Sequence, residues 1–178
     1  MISFQPLQQE DSSLMHMWFN RPHVQQFYSL RSWQEMEVLE KLKPSLSSEK
    51  QLLGFIVRLG DIAIGYIQHY PVKDHPWAGQ DLEEEILSKA CGIDLFIGEE
   101  KWIHKGLGRE IVNTFLETKV WPHFSYCVVD PDIHNTISIR MFQKCGFSLH
   151  KTVQAVNKLG KSSDLCLMVK EREVLSAV

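Results

Sequence analysis

No apolar run in the chain approaches the roughly 20 residues needed to cross a bilayer, which excludes a membrane-spanning helix. An excess of one charge sign is missing too. Nineteen Lys and Arg stand against 22 Asp and Glu, a formal net charge of −3 with a pI near 6.2. Nothing in that balance would draw the chain to nucleic acid. Cysteine is scarce and scattered: Cys91, Cys127, Cys145 and Cys166 include no C-x-x-C pair. The eight histidines show no metal-ligand spacing with carboxylates or thiols, so no metal is assigned. Met1 to Pro6 carries no basic region, apolar stretch or small-residue cleavage site, which predicts a cytoplasmic protein rather than a secreted one. Disorder is excluded by composition, with 44% hydrophobic and 23% charged residues. With no repeat, low-complexity tract or linker, residues 1–178 are expected to form one domain whose core needs no staple.

What is there alternates between two periods. Met1 to Leu7 predicts a first strand, and Asp11-Ser12-Ser13 supplies helix-capping chemistry ahead of Leu14, Met15, Met17, Trp18 and Phe19. Arg21-Pro22 interrupts that helix before an aromatic-bearing turn from His23 to Tyr28. Apolar residues at helical spacing predict a helix over Trp33 to Leu42, capped by Ser32 and stopped by Lys43-Pro44. Leu52 to Leu59 and Ile62 to Tyr70 read as strands joined at Gly60-Asp61. Pro71 to Glu85, with two further breakers and many charges, reads as a long loop. A strand over Ala90 to Ile97, a helix over Gly106 to Val120 and a strand over Phe124 to Val129 follow. His134 to Cys145 reads as a helix ended by Gly146. Strands Phe147 to Val153 and Leu165 to Val169 form a hairpin around Lys158-Leu159-Gly160-Lys161. The fold class is therefore a mixed α/β arrangement, a central sheet flanked by helices.

The most informative stretch runs from Gly92-Ile93-Asp94 through Lys105-Gly106-Leu107-Gly108-Arg109. A strand leads into a glycine-bearing turn, and an amphipathic helix begins there. Glycines let a backbone approach a ligand closely, and the unbonded N–H groups of a first helical turn favour an anion. Lys105 and Arg109 would add charge-assisted hydrogen bonds. The run is not a P-loop, and the third glycine of a dinucleotide fingerprint is lacking. An ordinary tight turn before a helix remains the competing reading.

Downstream lies a second segment, Asp130-Pro131-Asp132 through Asn135, Phe142, Lys144, Gly146 and Phe147. The two segments together resemble the GCN5-related N-acetyltransferase superfamily. That resemblance implies a mixed, mostly antiparallel sheet, an acetyl-CoA diphosphate held at Lys105-Gly106-Leu107-Gly108-Arg109, and Asn135 against the pantetheine amides. Trp18-Phe19-Asn20-Arg21-Pro22-His23-Val24, Gly65-Tyr66-Ile67-Gln68-His69-Tyr70, Gly92-Ile93-Asp94 and Asp130-Pro131 further resemble aminoglycoside 6′-N-acetyltransferases. The N-terminal pattern is shared with acyltransferases of hydroxylated lysine, so that acceptor, a polyamine, a protein amine and a non-catalytic acyl-CoA-binding domain stay open.

The resemblance implies Asp94 as the base that takes a proton from the attacking amine. An alkyl ammonium has a pKa near 10.4, so such a proton must leave at neutral pH. Asp94 is the only acid between Ala90 and Ile97, and period-2 alternation puts it opposite Ile93 and Leu95, lining a cleft or facing solvent. Asp130 is implied to meet a cationic substrate group, against a turn or capping role before Pro131. Asn135 has a helix-cap reading as well. Gln68, Tyr28 and Trp77 are candidates to line a substrate, with Phe27 and Tyr66 beside them. Glu83, Glu84 and Glu85 read as an anionic rim for a polycation or as a solvated helix start. Trp18, Trp33 and Trp121 read as core. At Phe142 the sequence departs from many family members, whose Tyr is thought to protonate the departing thiolate. With no nucleophile beside a base, direct attack in a ternary complex is expected. The expected partner is a small-molecule amine, with neither nucleic acid nor membrane, and the chain a monomer or homodimer.

Overall fold

The computed structural model describes residues 1–47, 51–157 and 159–173. Its elements run β1 (Ile2–Pro6), α1 (Ser12–Phe19), α2 (Pro22–Val24), α3 (Glu35–Leu46), β2 (Leu53–Leu59), β3 (Ile62–Pro71), α4 (Glu84–Lys89), β4 (Ala90–Ile97), α5 (Leu107–Phe115), β5 (Tyr126–Val129), α6 (Thr136–Lys144), β6 (Ser148–Val156) and β7 (Ser162–Glu171). The seven strands form one sheet in the order β1-β2-β3-β4-β5-β7-β6. β1–β2, β2–β3, β5–β7 and β6–β7 pair antiparallel, whereas β4–β5 pairs in parallel over Ala90–Gly92. This is the mixed, mostly antiparallel sheet with flanking helices that the sequence predicts. Among the described residues no helix is long and apolar enough to cross a membrane.

The chain divides into two compact units. The first comprises residues 1–70 and 93–111, the second 71–92 and 112–178. In the first, the apolar face of α1 places Met15, Trp18 and Phe19 at 0% exposure beside Val38 and Leu42 of α3, Ile56 of β2, Tyr66 of β3 and Phe96 of β4. In the second, Val72, Ala90, Val128, Val153 and Leu167 form a cluster on which Trp77, Leu82, Ile86 and Leu87 pack.

Three local predictions are corrected. Helix α3 begins after Gln34, not Ser32: Glu37 Oε2 accepts the Gln34 N–H at 2.7 Å, a capping box two residues further on. The same helix runs through Pro44 to Leu46. A proline removes one N–H and crowds one carbonyl, and so close to a helix end the last turn closes regardless, with Ser47 N–H donating to Lys43 O at 3.1 Å. The predicted loop from Pro71 to Glu85 is shorter than expected, because Val72–Asp74 forms a 3-10 turn and α4 starts at Glu84. Helix α5 passes at Phe115 into a π-helical turn over Leu116–Val120, so the helical span reaches Val120 as predicted. The predicted hairpin turn includes Lys158, outside the described residues; around it Asn157 Oδ1 accepts the N–H groups of Leu159 and Lys161.

Candidate active site

β3 and β4 bring the polar centre of the first unit together by strand parity. Residues two apart share a face. Tyr66 and Gln68 on β3 therefore project together, as do Asp94 and Phe96 on β4. The rings of Tyr66 and Phe96 lie 5.8 Å apart, and Gln68 Nε2 donates to Asp94 Oδ2 at 2.7 Å. Tyr66 Oη donates to Gln68 Oε1 at 2.9 Å. Two glycines make this approach possible. A Cβ on Gly65 would meet Phe96 O at 2.3 Å, and one on Gly54 would meet Tyr66 Oη at 2.5 Å.

Tyr28 completes the aromatic wall, its ring 4.7 Å from Phe96 and 5.8 Å from Phe19. Burial pushes the Tyr28 phenol well above its ordinary pKa, and the nearby Tyr66 and Asp94 push it further. Tyr66 is raised in the same way, by burial first, which the nearby Ser45 hydroxyl partly opposes and Asp94 reinforces. Both phenols therefore stay neutral throughout the physiological range. Asp94 and Gln68 are half-buried.

The segment from Trp18 to His23 pins the end of β4. Trp18 Nε1 donates to Glu99 Oε1 at 2.9 Å, and Arg21 Nη1 donates to Gly98 O and Glu99 Oε2 at 3.0 Å each. His23 Nε2 lies 3.0 Å from Ile97 O. Partial burial acts to raise the Glu99 pKa, but the hydrogen bonds from Trp18 and Arg21, with the Arg21 and Lys101 charges, hold it below the usual carboxylate value. Beyond this clamp the backbone turns through His104 and Gly106, both with positive φ (58° and 77°), and α5 begins at Leu107. The amides of Leu107 and Gly108 stand in the first turn of α5, where N–H groups face outward along the helix axis. Lys105, Gly106 and Arg109 are exposed, Leu107 and Gly108 half-buried. A Cβ on Gly106 would meet nothing within 4 Å, so its glycine serves the turn's conformation.

In the second unit, Asp130 follows the last residue of β5 and is half-buried. Asn135 caps α6, its Oδ1 accepting the Ser138 N–H at 3.2 Å, which leaves the Nδ2 amide for another acceptor. Phe142 is 5% exposed and stacks edge-on with Phe147, ring centres 5.3 Å apart. Trp77 packs on the apolar cluster, and Glu84 is exposed in the first turn of α4. All four cysteines are buried; burial, then Asp132, pushes the Cys166 thiol up, away from a thiolate nucleophile. Among the described residues no group of three or more His, Cys, Asp or Glu is placed to hold a metal.

The first unit thus gathers Tyr28, Gln68 and Asp94, and carries the Lys105–Arg109 turn on the segment that β4 feeds. The second unit carries Asp130, Asn135, Trp77 and Glu84. Sequence reasoning missed Tyr66 as a hydrogen-bonding neighbour of Gln68, and Glu99 as the partner of Trp18 and Arg21. Only the i, i+2 spacing of Tyr66 and Gln68 offered a signal.

A family model described as an acetyltransferase (GNAT) domain matches residues 8–155. The chain belongs to the GNAT acetyltransferase family. Relatives of this acetyltransferase include the aminoglycoside N(6′)-acetyltransferases type 1 of Klebsiella pneumoniae and Serratia marcescens. Each is 26% identical over 158 residues, 85% of this chain and 76% of the relative. Among solved structures, the aminoglycoside acetyltransferase AAC(6′)-Ib in complex with coenzyme A matches with a TM-score of 0.82 at 23% identity, covering 97% of this chain and 95% of its own. A spermidine N-acetyltransferase from Vibrio cholerae, in complex with CoA and spermine, matches at 0.74 and 14% identity, covering 96% and 95%. The acetyltransferase therefore has the GNAT fold.

Proposed function

We propose that the acetyltransferase moves the acetyl group of acetyl-CoA to a primary amine of a polycationic small molecule, the 6′-amine of an aminoglycoside above others. The observation that carries this reading is the 2.7 Å contact in which Gln68 Nε2 donates to Asp94 Oδ2. A carboxylate that accepts an amide N–H beside two neutral phenols suits a base and anchor for an ammonium. The relatives named for 6′-acetylation support the acceptor class.

In this reading the first-turn amides of α5, with Gly106, Gly108, Lys105 and Arg109, hold the cofactor's diphosphate, and Asn135 Nδ2 serves a pantetheine carbonyl. Asp94 takes a proton from the substrate ammonium. The neutral nitrogen then attacks the thioester carbonyl, a C–N bond forms, the nitrogen releases its surplus proton to solvent water and the C–S bond breaks. Phe142 has no proton to give, so the thiolate leaves unassisted and is protonated by water, as a thiol of pKa near 8.5 allows. Tyr28 and Gln68 are proposed to line the acceptor, with Asp130, Trp77 and Glu84 as its further contacts. Orientation within the ternary complex supplies much of the acceleration.

The test is thiol release from acetyl-CoA with kanamycin, ribostamycin, spermidine, spermine, N6-hydroxylysine and a protein amine. The expected result is turnover with kcat/KM for the aminoglycosides at least about tenfold above that for the others, a difference of about 1.4 kcal/mol in transition-state binding. Preference for spermidine would move the acceptor to the polyamines, and acetyl-CoA binding without transfer to any amine would leave a carrier-binding domain.

A further inference from the structure

The hydrogen bonds around Asp94 run in one direction. Tyr66 has one hydroxyl proton, and it is donated to Gln68 Oε1 at 2.9 Å. With its carbonyl held by Tyr66, the Gln68 amide can present only its NH2 group to Asp94, as it does at 2.7 Å. Rotating the amide by half a turn would set carbonyl against carboxylate and NH2 against the phenol. Tyr66 is 1% exposed, its ring packed 5.8 Å from Phe96, and Gly54 leaves its hydroxyl the space that a Cβ would take at 2.5 Å. The phenol is thus immobile, and a fixed phenol fixes the amide.

We infer that Tyr66 is a positioning residue: through Gln68 it sets the orientation of the Asp94 carboxylate, in a donor chain that starts at the Tyr66 hydroxyl. The inference rests on Asp94 as the base. It assigns to a core tyrosine, which need not touch substrate or cofactor, a share in aiming the reacting carboxylate. Buried hydrogen-bond chains of this kind hold a geometry more firmly than their single links do.

The experiment compares Tyr66→Phe, Gln68→Met and the double variant. Tyr66→Phe keeps the ring in the core and removes only the hydroxyl. It is expected to lower kcat about tenfold, as for the loss of one positioning hydrogen bond, while KM for acetyl-CoA stays within about twofold. Gln68→Met should give a similar or larger loss, and the double variant no more than Gln68→Met alone, because both break one chain. The second readout needs no turnover. In 15N-labelled protein the Gln68 side-chain amide, identified by its absence in Gln68→Met, should shift and exchange faster with water in Tyr66→Phe. An unchanged amide signal, or losses that multiply in the double variant, would overturn the inference. If Tyr66→Phe does not fold, Gly54→Ala, which crowds the hydroxyl, replaces it with the same expected amide change. Should the wild-type chain acetylate no amine, the base assignment fails while the amide signal still decides whether Tyr66 holds Gln68.

Discussion

Gly98 has no room for a side chain. A Cβ there would lie 2.3 Å from Trp18 Cδ2, and Trp18 is fully buried with its indole N–H tied to Glu99. Gly98→Ala must displace the indole, at an expected cost of about 1–3 kcal/mol for overpacking. A melting curve should show this as a fall of roughly 2–4 °C per kcal/mol for a chain of this size. An unchanged midpoint would mean that the indole yields freely and that the clamp on β4 is loose. Asp94→Asn answers a different question at the same scale. It keeps the side chain's size and removes the base, so kcat is expected to fall at least about a hundredfold while acetyl-CoA affinity is retained. Thiol release and calorimetry on the same preparation check both halves; a kcat within threefold of wild type would remove Asp94 from the chemistry. Strand parity left Asp94 either lining a cleft or facing solvent, and its role came from the family resemblance; the structure adds Gln68 as its hydrogen-bond donor. The contacts that pin the end of β4 were not legible. Trp18 and Glu99 are 81 residues apart and Arg21 and Gly98 are 77 apart, and such pairings leave no trace in local periodicity.

At the scale of elements, the sequence marks where helices and strands lie better than where they end. β4 runs over Ala90–Ile97 as its composition predicts. Helix α3 passes Pro44 because a proline in the last turn costs little once tertiary packing of Val38 and Leu42 holds the rest. Helix α4 was legible only in part, because its opening acids, Glu84 and Glu85, read equally as a solvated loop or a helix start until their place in a first turn, where the helix dipole favours them, is known. Asn135 shows how one residue carries two readings. As the cap of α6 it is expected to contribute about 1 kcal/mol, lost in Asn135→Ala. Asn135→Ser restores a capping oxygen without the amide. Stability by urea denaturation should therefore recover in the serine variant while acetyl-CoA affinity does not. Recovery of both would leave Asn135 with the cap alone.

For the molecule as a whole, the shifted groups bound the pH range of stability, and the sign differs at the two ends. Glu99 in the first unit and Asp132 in the second are held below the ordinary carboxylate value. For Asp132, partial burial opposes the shift, and the Ser163 hydroxyl and the His134 N–H groups outweigh it. A lowered native pKa contributes stability above the unfolded value, about 4, which is lost as pH falls through the native one. The buried phenols act in the opposite sense. Tyr66 and Tyr28 are raised, so above about pH 10 the unfolded chain gives up phenol protons that the native chain keeps, and stability falls as pH rises. Each phenol contributes a slope of about 1.4 kcal/mol per pH unit, so the pair is expected to remove roughly 2.7 kcal/mol per unit above pH 10. Urea titrations between pH 8 and 11, followed by tryptophan fluorescence, measure that slope directly. In Tyr28→Phe/Tyr66→Phe the alkaline decline should lessen by about the same amount, whatever the variant's stability at neutral pH. A slope equal to that of the wild type would show that the two phenols ionise as freely in the folded chain as in the unfolded one. Tyr66 could not then be the fixed neutral donor that the orientation of Gln68 requires.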